Sequence, residues 1–282
     1  MIGIITDSTC DIPEALQEEL GIYVIPQMVI WGDSQYRDRI DLDPGTFYKR
    51  LAVDPLHPHT SQPALSDFQS VFDNALSNGA RELIVLTLSS TISGTYQTAR
   101  KAAESFAQPI EVVDSKATSM GLGWQVLAAA RASRAGTDLQ GVVESAESVR
   151  DKIIQFAGID TLRYLQKGGR IGDVARWAGT LLKIKPLVSL DILSNKVEPI
   201  GIVRTYKAMI DQLFRKFMAR FDGKKKLHIA VLHGCVYDSA KVLAQRILEV
   251  CEPEELLINS TGPALGIHTG PSALGLCGYA ED

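Results

Sequence analysis

The chain has 282 residues, which is long for one hydrophobic core and sufficient for two, so we predict two domains. Its formal net charge is −4 with acidic and basic residues interspersed, which argues against a surface for nucleic acid or an anionic membrane. The sequence has no charged leader, no apolar run near the ~20 residues that span a bilayer, and four scattered cysteines without metal-ligand spacing. We therefore expect a cytoplasmic protein with reduced cysteines and no metal.

The first half, residues 1–152, alternates short apolar strands with amphipathic helices, the pattern of parallel strands joined by crossover helices. A helix predicted over residues 138–154 ends this half, because its apolar residues recur at helical spacing. We expect a three-layer α/β/α domain with a mainly parallel sheet. Other helix starts are predicted, from their capping residues, at Asp11-Ile12-Pro13-Glu14, Asp43-Pro44 and Ser66-Asp67-Phe68-Gln69.

Three predicted strands of this half run into turns rich in hydroxyl groups. The turns are Thr6-Asp7-Ser8-Thr9, Leu88-Ser89-Ser90-Thr91-Ile92-Ser93-Gly94-Thr95 and Asp114-Ser115-Lys116-Ala117-Thr118. The carboxyl ends of parallel strands gather at one sheet edge, where free backbone N–H groups and helix N-termini attract an anion. The sequence therefore predicts several hydroxyls facing one small acidic group. The aspartates and Lys116 are expected to serve structural roles, since an aspartate at a strand end commonly caps the next helix.

The second half, residues 153–282, has a different pattern. Two β-like segments over 186–190 and 196–203 are separated only by residues 191–195, which predicts a hairpin and therefore a mixed sheet. An apolar stripe over 206–221 predicts a covering helix. Further strands are expected over 227–232 and 256–258 with a helix between them, and the last residues are predicted to form turns.

Seven motifs occur in one order along nearly the whole chain. They are Ile5-Thr6-Asp7-Ser8-Thr9, Thr60-Ser61-Gln62-Pro63, Ser89-Ser90-Thr91-Ile92-Ser93-Gly94-Thr95-Tyr96, Val113-Asp114-Ser115-Lys116, Asp160-Thr161-Leu162 with Lys167-Gly168-Gly169-Arg170-Ile171-Gly172, Ile184-Lys185-Pro186, and His268-Thr269-Gly270-Pro271. In these motifs the sequence resembles the DegV family, the group that contains the fatty acid-binding subunits of bacterial fatty acid kinase. It departs from the family pattern where Ala64-Leu65-Ser66-Asp67 replaces the usual Ser-Pro-Gly-Glu and where Ser272 replaces a common glycine.

The resemblance implies two α/β domains with a long-chain fatty acid such as palmitate between them, and no catalysis by this chain alone. It also implies a partner, an ATP-dependent kinase that converts the bound fatty acid to an acyl-phosphate for phospholipid synthesis. No cofactor is expected besides the fatty acid ligand. The ligand-binding residues implied by the matching motifs are Thr60, Ser61, Ser93, Gly94, His268 and Arg170, and Arg170 and Arg204 are candidate contacts to the kinase.

Each of these residues also has a structural interpretation. Ser93 is a candidate cap for the following helix, and Thr60 precedes a proline in what reads as an extended turn. Arg170 is a candidate helix-end cation or surface ion pair, and Arg204 a solvated residue at a helix start. His268 lies in a glycine-rich segment predicted as a turn, which favours a polar contact over a buried core role.

Two other classes of function compete with ligand binding. A stand-alone hydrolase or phosphotransferase would use Ser93 as nucleophile or Asp7 as phosphoryl acceptor. Ser93 lacks a G-x-S-x-G context, and no second acid stands two positions after Asp7. A nucleotide-binding module is disfavoured because the sequence has no G-x-x-x-x-G-K-[ST] loop and only the fragment Gly121-Leu122-Gly123 of a dinucleotide motif.

Overall fold

The computed structural model of the chain describes residues 1–171, 175, 184–192 and 196–281. Gly172 of the predicted motif and residues 193–195 of the predicted hairpin turn lie outside the described residues. The strands are β1 (Ile2–Asp7), β2 (Ile22–Ile25), β3 (Met28–Trp31), β4 (Ser34–Arg37), β5 (His59–Ser61), β6 (Glu82–Thr87), β7 (Ile110–Asp114), β8 (Ile154–Gly158), β9 (Lys185–Asp191), β10 (Lys196–Val203), β11 (Leu227–His233), β12 (Glu255–Ser260) and β13 (Leu274–Ala280). The helices are α1 (Glu14–Leu20), α2 (Pro44–Val53), α3 (Leu65–Ser77), α4 (Thr95–Ala103), α5 (Met120–Arg134), α6 (Leu139–Arg150), α7 (Arg163–Lys167), α8 (Tyr206–Met218), α9 (Tyr237–Leu248) and α10 (Pro263–Thr269).

A parallel sheet with the order β2-β1-β6-β7 forms the centre of the first half. Successive side chains of a strand point to opposite faces, so the two faces bury different residues. Ile4 and Ile84 belong to the core under α5 and α6, whereas Ile5 and Leu83 belong to the core under α3 and α4. The predicted three-layer α/β/α arrangement with a parallel sheet is therefore confirmed.

The second half is built on a mixed sheet with the order β10-β9-β8-β13-β11-β12. β9 and β10 pair antiparallel, as the predicted hairpin requires, whereas β11 and β12 pair in parallel. α8 and α9 cover one face of this sheet, where Met209, Leu213 and Phe217 are fully buried. The predicted mixed α/β architecture of the second half is confirmed.

α5 lies between the two sheets and is buried along most of its length. Trp124 shares one core cluster with Ile84 of the parallel sheet and Cys277 of the mixed sheet, and its indole N–H donates to the Cys277 carbonyl at 3.5 Å. One helix thus contributes to both cores. The domain boundary after Lys152 stays a prediction.

A third sheet, absent from our sequence predictions, has the antiparallel order β4-β3-β5. It packs with α2 around Trp31, Phe47 and Tyr48, and Ile267 of α10 completes this small core. α10 therefore belongs by sequence to the second half but packs against an insertion of the first. This contact brings residues from the two halves of the chain close together.

Several sequence predictions about local structure are wrong. α3 begins at Leu65 with Ala64 as its cap residue, so the predicted start residue Ser66 lies inside the helix. Asp11 does not cap α1, which begins after Pro13 without a side-chain cap, because the Asp11 carboxylate is buried among long-range partners instead. The helix predicted over 138–154 ends at Arg150, and Ile154 already begins β8. The C-terminal segment predicted as turns contains β13, a strand inside the mixed sheet.

Within the described part of the chain, every helix is too short or too polar to cross a lipid bilayer. The four cysteines are free thiols: Cys10 and Cys277 are buried, Cys251 is partly buried and Cys235 is exposed. Burial raises the pKa of the Cys10 thiol to about 12, so it is protonated at neutral pH. These thiols provide no disulfide between elements.

Candidate functional site

A cavity of about 380 Å³ lies where the first half of the chain meets α10, and we call it the polar cavity. Six of the residues proposed from sequence as ligand contacts line it together. They are Thr60, Ser61, Ser93, Gly94, His268 and Arg170, accompanied by Thr9, Gln27, Gln62, Leu88, Ile92, Ala264 and Leu265. Segments more than 200 residues apart in sequence thus converge on one opening.

Ser93 lies in the turn that joins β6 to α4. Its side-chain oxygen accepts a hydrogen bond from the Thr95 backbone N–H at 3.3 Å and lies 2.8 Å from Thr95 Oγ1. Ser93 therefore does contact the first turn of α4, as its capping interpretation predicted, although Gly94 is the cap residue itself. The partly buried hydroxyl still lines the cavity, so capping and exposure to a ligand coexist.

The segment bearing Thr60 is held against this turn by close packing. Gln62 Nε2 donates to Thr98 Oγ1 of α4 at 2.8 Å, and a Cβ atom at Gly94 would overlap the Gln62 carboxamide. A side chain at position 94 would therefore displace the Gln62 carboxamide from this contact. β5 also pairs with β3, with Thr60 opposite Val29, which fixes the direction of the Thr60 side chain.

Gln27 connects the Ser93 turn to the interior. It is buried at 3% exposure, and its Nε2 donates to Thr95 Oγ1 at 3.1 Å. Its backbone N–H donates to the Ser8 hydroxyl at 3.0 Å. Because Thr95 Oγ1 contacts both Gln27 and Ser93, the orientation of the Ser93 hydroxyl depends on this buried pair.

His268 lies in the last turn of α10 and not in an irregular turn as predicted. Its Nε2 lies 3.5 Å from Thr60 Oγ1, and its Nδ1 is buried with no partner among the described residues. Burial and then the nearby Arg170 charge lower the pKa of His268 to about 4. The imidazole is therefore neutral at pH 7, close to Thr60, and able to exchange hydrogen bonds with a ligand.

Two buried carboxylates of the first half hold the start of α10. Asp38 accepts from the Ala264 N–H at 3.1 Å and from the Ser8 hydroxyl at 2.6 Å. Burial raises the pKa of Asp38 to about 6. Asp11 accepts from the Gly262 N–H at 3.0 Å, and from two side chains, Arg39 at 2.5 Å and Ser119 at 2.6 Å. The position of His268 relative to Ser93 therefore depends on these carboxylates.

Arg170 is exposed at the rim of the polar cavity. Its guanidinium donates to the Ile92 carbonyl from Nε at 3.4 Å and from Nη2 at 3.3 Å, and to the Gly168 carbonyl from Nη1 at 3.1 Å. It thus joins the segment after α7 to the Ser93 turn. Arg204, the other predicted contact to the kinase, is exposed just after β10. It lines neither the polar cavity nor the second, adjoining cavity described next.

A second cavity adjoins the first, and we call it the apolar cavity. It has a volume of about 130 Å³ and shares Ile92 and Leu265 with the polar cavity. Its walls come from β8, β9, β10, β13 and the segment before α5. The apolar lining residues are Phe156, Ala157, Ile159, Leu165, Val188, Leu190, Val197, Leu232, Ala273 and Leu274.

The aspartates of the hydroxyl-rich turns face inward. Asp7 is completely buried and accepts hydrogen bonds from the Thr9 N–H, the Thr9 hydroxyl and the Leu88 N–H. Asp114 accepts from the Ser90 and Lys116 N–H groups at 3.1 and 2.9 Å. Both therefore fix loop conformation. Among the described residues, no three His, Cys, Asp or Glu side chains converge as metal ligands.

Sequence reasoning missed Gln27, Thr9 and Gln62 as lining residues and Asp38 as a support for α10. Gln62 and Thr9 lay within recognised motifs, so their neighbours could have indicated them. Gln27 and Asp38 lie outside the motifs, and no local pattern marks them. Their roles depend on contacts with residues far away in the chain.

The DegV family model, described as an uncharacterised protein family, matches residues 1–281. A DegV domain-containing protein of Clostridium acetobutylicum is 31% identical over 279 residues, covering 98% of this chain and 97% of that protein. A Thermus thermophilus DegV family protein, described for its fatty acid binding, is 33% identical with a TM-score of 0.92 and 99% coverage of both chains. Bacillus subtilis DegV, described as a fatty acid binding protein, is 27% identical with a TM-score of 0.89 and the same coverage. This chain belongs to the DegV family.

Proposed function

We propose that this protein binds one long-chain fatty acid such as palmitate, with its carboxyl group in the polar cavity and its hydrocarbon tail in the apolar cavity. The observation that carries the proposal is the junction of the two cavities at Ile92 and Leu265. An opening lined by hydroxyls that continues into an apolar space matches the two parts of a fatty acid. The binding described for the Thermus thermophilus and Bacillus subtilis proteins supports it.

The tail supplies most of the affinity in this proposal. Burial of one methylene group contributes about 0.8 kcal/mol, whereas a neutral hydrogen bond contributes about 1 kcal/mol net. A long tail therefore outweighs the few hydrogen bonds available to its carboxyl group. The hydroxyls of Thr60 and Ser93 then determine where the carboxyl lies and how it is oriented, with Ser61 and the Gly94 backbone beside them.

His268 suits a carboxylate ligand because its imidazole lines the polar cavity, with Nε2 3.5 Å from Thr60 Oγ1. In the free protein burial keeps this ring neutral. A carboxylate close to it stabilises the protonated form and raises its pKa. A burial cost for the carboxylate is avoided, since the polar cavity opens to solvent at the exposed Ser61, Gln62 and Arg170.

The exposed rim also suits transfer of the ligand's carboxyl to a second protein. We propose that a separate ATP-dependent kinase phosphorylates the carboxyl group, and that Arg170 at this rim contacts that kinase or orients the carboxyl for it. Arg204 of this chain is a second candidate contact to the kinase. In this account the chain performs no reaction alone, and the acyl-phosphate serves phospholipid synthesis.

The competing enzymatic function is poorly supported by the site. Asp7 is fully buried and already accepts three hydrogen bonds, so it cannot meet a phosphoryl donor without unfolding its loop. Among the described residues, the hydrogen-bond partner of Ser93 Oγ is Thr95, whereas His268 Nε2 lies 3.5 Å from Thr60 Oγ1. A hydroxyl without an adjacent base is a weak nucleophile.

The test is the lipid content of the protein purified from a bacterial host. Mass spectrometry of the extracted small molecules is expected to show a long-chain fatty acid near one equivalent per chain. In a thermal shift assay palmitate is expected to raise the melting temperature, whereas ATP and NAD leave it unchanged. Turnover of aryl esters or phosphomonoesters that disappears in Ser93→Ala would establish the enzymatic alternative instead.

A further inference from the structure

One buried carboxylate joins the N-terminal ends of two helices. Asp11 is 1% exposed, and its Oδ2 accepts a hydrogen bond from the hydroxyl of Ser119, the cap residue of α5, at 2.6 Å. Its Oδ1 accepts from the backbone N–H of Gly262, the cap residue of α10, at 3.0 Å. Negative charge is stabilising at helix N-termini, which suits a carboxylate placed between two of them. Asp11 is therefore a fixed link between α5 and α10.

The two helix ends belong to different cavities. Ser119 lines the apolar cavity. α10 carries Leu265, at the junction of the two cavities, and His268, which lines the polar cavity. The Leu265 N–H donates to the Gly262 carbonyl at 3.2 Å, so the position of Gly262 sets that of the first turn of α10. Asp11 thus connects a wall of the apolar cavity to the helix that places His268.

The residues of this link have strained backbones. Asp11, Arg39 and Ser119 have positive φ angles of 50°, 65° and 53°, and the ψ of −145° places Ser119 in a region used almost only by glycine. Arg39 Nη2 donates to Asp11 at 2.5 Å and to the Ser260 carbonyl at 2.8 Å. Such conformations cost free energy and persist only where surrounding contacts hold them. The hydrogen bond to Asp11 therefore helps to keep Ser119 in a conformation that it would otherwise leave.

Solvent cannot absorb a displacement of Ser119. Both residues of the hydrogen bond are buried, Ser119 at 4% exposure, and close-packed interiors have low compressibility and transmit strain. Asp38 also holds α10, at the Ala264 N–H, but its second hydrogen bond comes from Ser8 and not from α5. Of the two carboxylates, Asp11 connects α10 to the apolar cavity. A ligand that displaces the wall at Ser119 is therefore expected to move the start of α10 with it.

We propose that Asp11 is a positioning residue through which a tail in the apolar cavity orients His268 in the polar cavity. This inference rests on the proposed fatty acid binding and specifies how its two cavities cooperate. A long tail reaches the wall at Ser119, and the wall acts through Asp11 and Gly262 on α10. A short acid places its carboxyl group in the polar cavity but leaves this wall without contact. The protein thus selects long-chain acids by the orientation of the carboxyl group as well as by affinity.

The experiment compares two acids that share a carboxyl group and differ in tail length. Full-length protein with isotope-labelled histidine is saturated with palmitate or with octanoate at one pH, and NMR records the imidazole signal of His268, assigned with His268→Gln. In wild type the signals of the two loaded forms are expected to differ by more than the line width. In Ser119→Gly they are expected to coincide, because the link to Asp11 is lost while glycine adopts the positive φ without strain.

Ser119→Ala also lacks the hydroxyl and is expected to give coinciding signals as well. Thr118→Val is the matched control, since Thr118 belongs to the same cavity wall but its hydroxyl has no hydrogen-bond partner among the described residues. It is expected to keep the wild-type difference. Identical His268 signals in wild type, an unchanged difference in both Ser119 variants, or loss of the difference in Thr118→Val would overturn the inference. If neither acid moves the signal from its position in the free protein, the proposed carboxyl site is wrong and this inference falls with it.

Discussion

The polar and apolar cavities share two residues but are built in different ways. The walls of the polar cavity are mostly loops and helix ends: the turn before α4, the segment after α7, α10, and the segments that carry Thr9 and Gln27, with the short strand β5 beside them. The walls of the apolar cavity are largely the faces of strands in the mixed sheet. Loops supply hydroxyls, an imidazole and a guanidinium, whereas strands supply a surface of aliphatic side chains.

The difference separates two properties of ligand binding. Hydrophobic burial is proportional to area and has no direction, whereas hydrogen bonds require aligned partners. A change in the strand walls should alter how tightly a fatty acid is held. A change in the loops should alter how its carboxyl group is presented. The following predictions test this separation, from the largest expected effect to the smallest.

The largest effect is expected from filling the apolar cavity. Ala157→Phe adds a ring to the wall contributed by β8, which prevents the tail from entering fully. Exclusion of four methylene groups costs about 3 kcal/mol, so palmitate affinity should fall on the order of a hundredfold. Isothermal titration calorimetry measures the affinities of wild type and variant for palmitate and for octanoate, and the affinity for the shorter octanoate should fall less. An equal loss for both chains would show that the tail does not occupy this cavity.

A smaller effect on binding, but a clear one on transfer, is expected from the double variant Ser93→Ala with Thr60→Val. Removal of both hydroxyls should weaken fatty acid binding by about thirtyfold at most, since each neutral hydrogen bond contributes about 1 kcal/mol. Kinase-coupled acyl-phosphate formation should fall by a larger factor, because the carboxyl group also loses its orientation. Ser145→Ala is the control, because this hydroxyl donates to the Gly141 carbonyl within α6 and lines neither cavity. Unchanged coupling in the double variant would remove both hydroxyls from the mechanism.

Arg170→Ala tests the rim of the polar cavity. Since the guanidinium is exposed and joins Ile92 to Gly168, we expect transfer to the kinase to fall several-fold with bound lipid unchanged. Arg204→Ala is the comparison variant, because Arg204 is exposed outside both cavities and can affect transfer only through a contact with the kinase. Lipid content after purification and the rate of acyl-phosphate formation are measured together. Loss of the lipid from Arg170→Ala would place this residue in the carboxyl-binding group.

The smallest effect concerns protonation of His268. Its pKa is lowered from the ordinary histidine value of 6.5 to about 4 in the free protein. The unfolded chain therefore binds a proton more readily than the folded protein, and the free energy of unfolding decreases as the pH falls from 6.5 towards 4. Bound fatty acid should raise the His268 pKa and reduce that loss. NMR titration of the imidazole in free and loaded protein measures both values. His228 is the internal control, because its two ring nitrogens contact Glu255 and Glu281 and it lines neither cavity. An identical His268 pKa in both forms would contradict a carboxylate beside it.

The sequence was sufficient to predict the two sheets, the hairpin and six lining residues of the polar cavity. Alternating apolar strands and helices indicated the layers, because side-chain periodicity follows directly from backbone geometry. The order of motifs indicated Thr60, Ser93 and His268. Whether these residues bind a ligand stays a prediction, but their convergence on one cavity is a property of the structure.

What the sequence did not predict depends on tertiary contacts. Asp11 has the local signature of a helix cap, but the Arg39 guanidinium and the Ser119 hydroxyl occupy its carboxylate. β13 contains two glycines and is buried on both faces, so it lacks the alternation of a half-exposed strand. Gln27 has no local signature at all. Its role follows only from its contact with Thr95, 68 residues away.

The most direct test of the account is a crystal structure of the protein loaded with palmitate. We expect the carboxyl group within hydrogen-bond distance of the Ser93 and Thr60 hydroxyls, and the tail passing between Ile92 and Leu265 into the cavity bounded by β8 and β9. A tail that extends from the polar cavity into solvent, or lipid bound elsewhere while the apolar cavity stays closed, would contradict it.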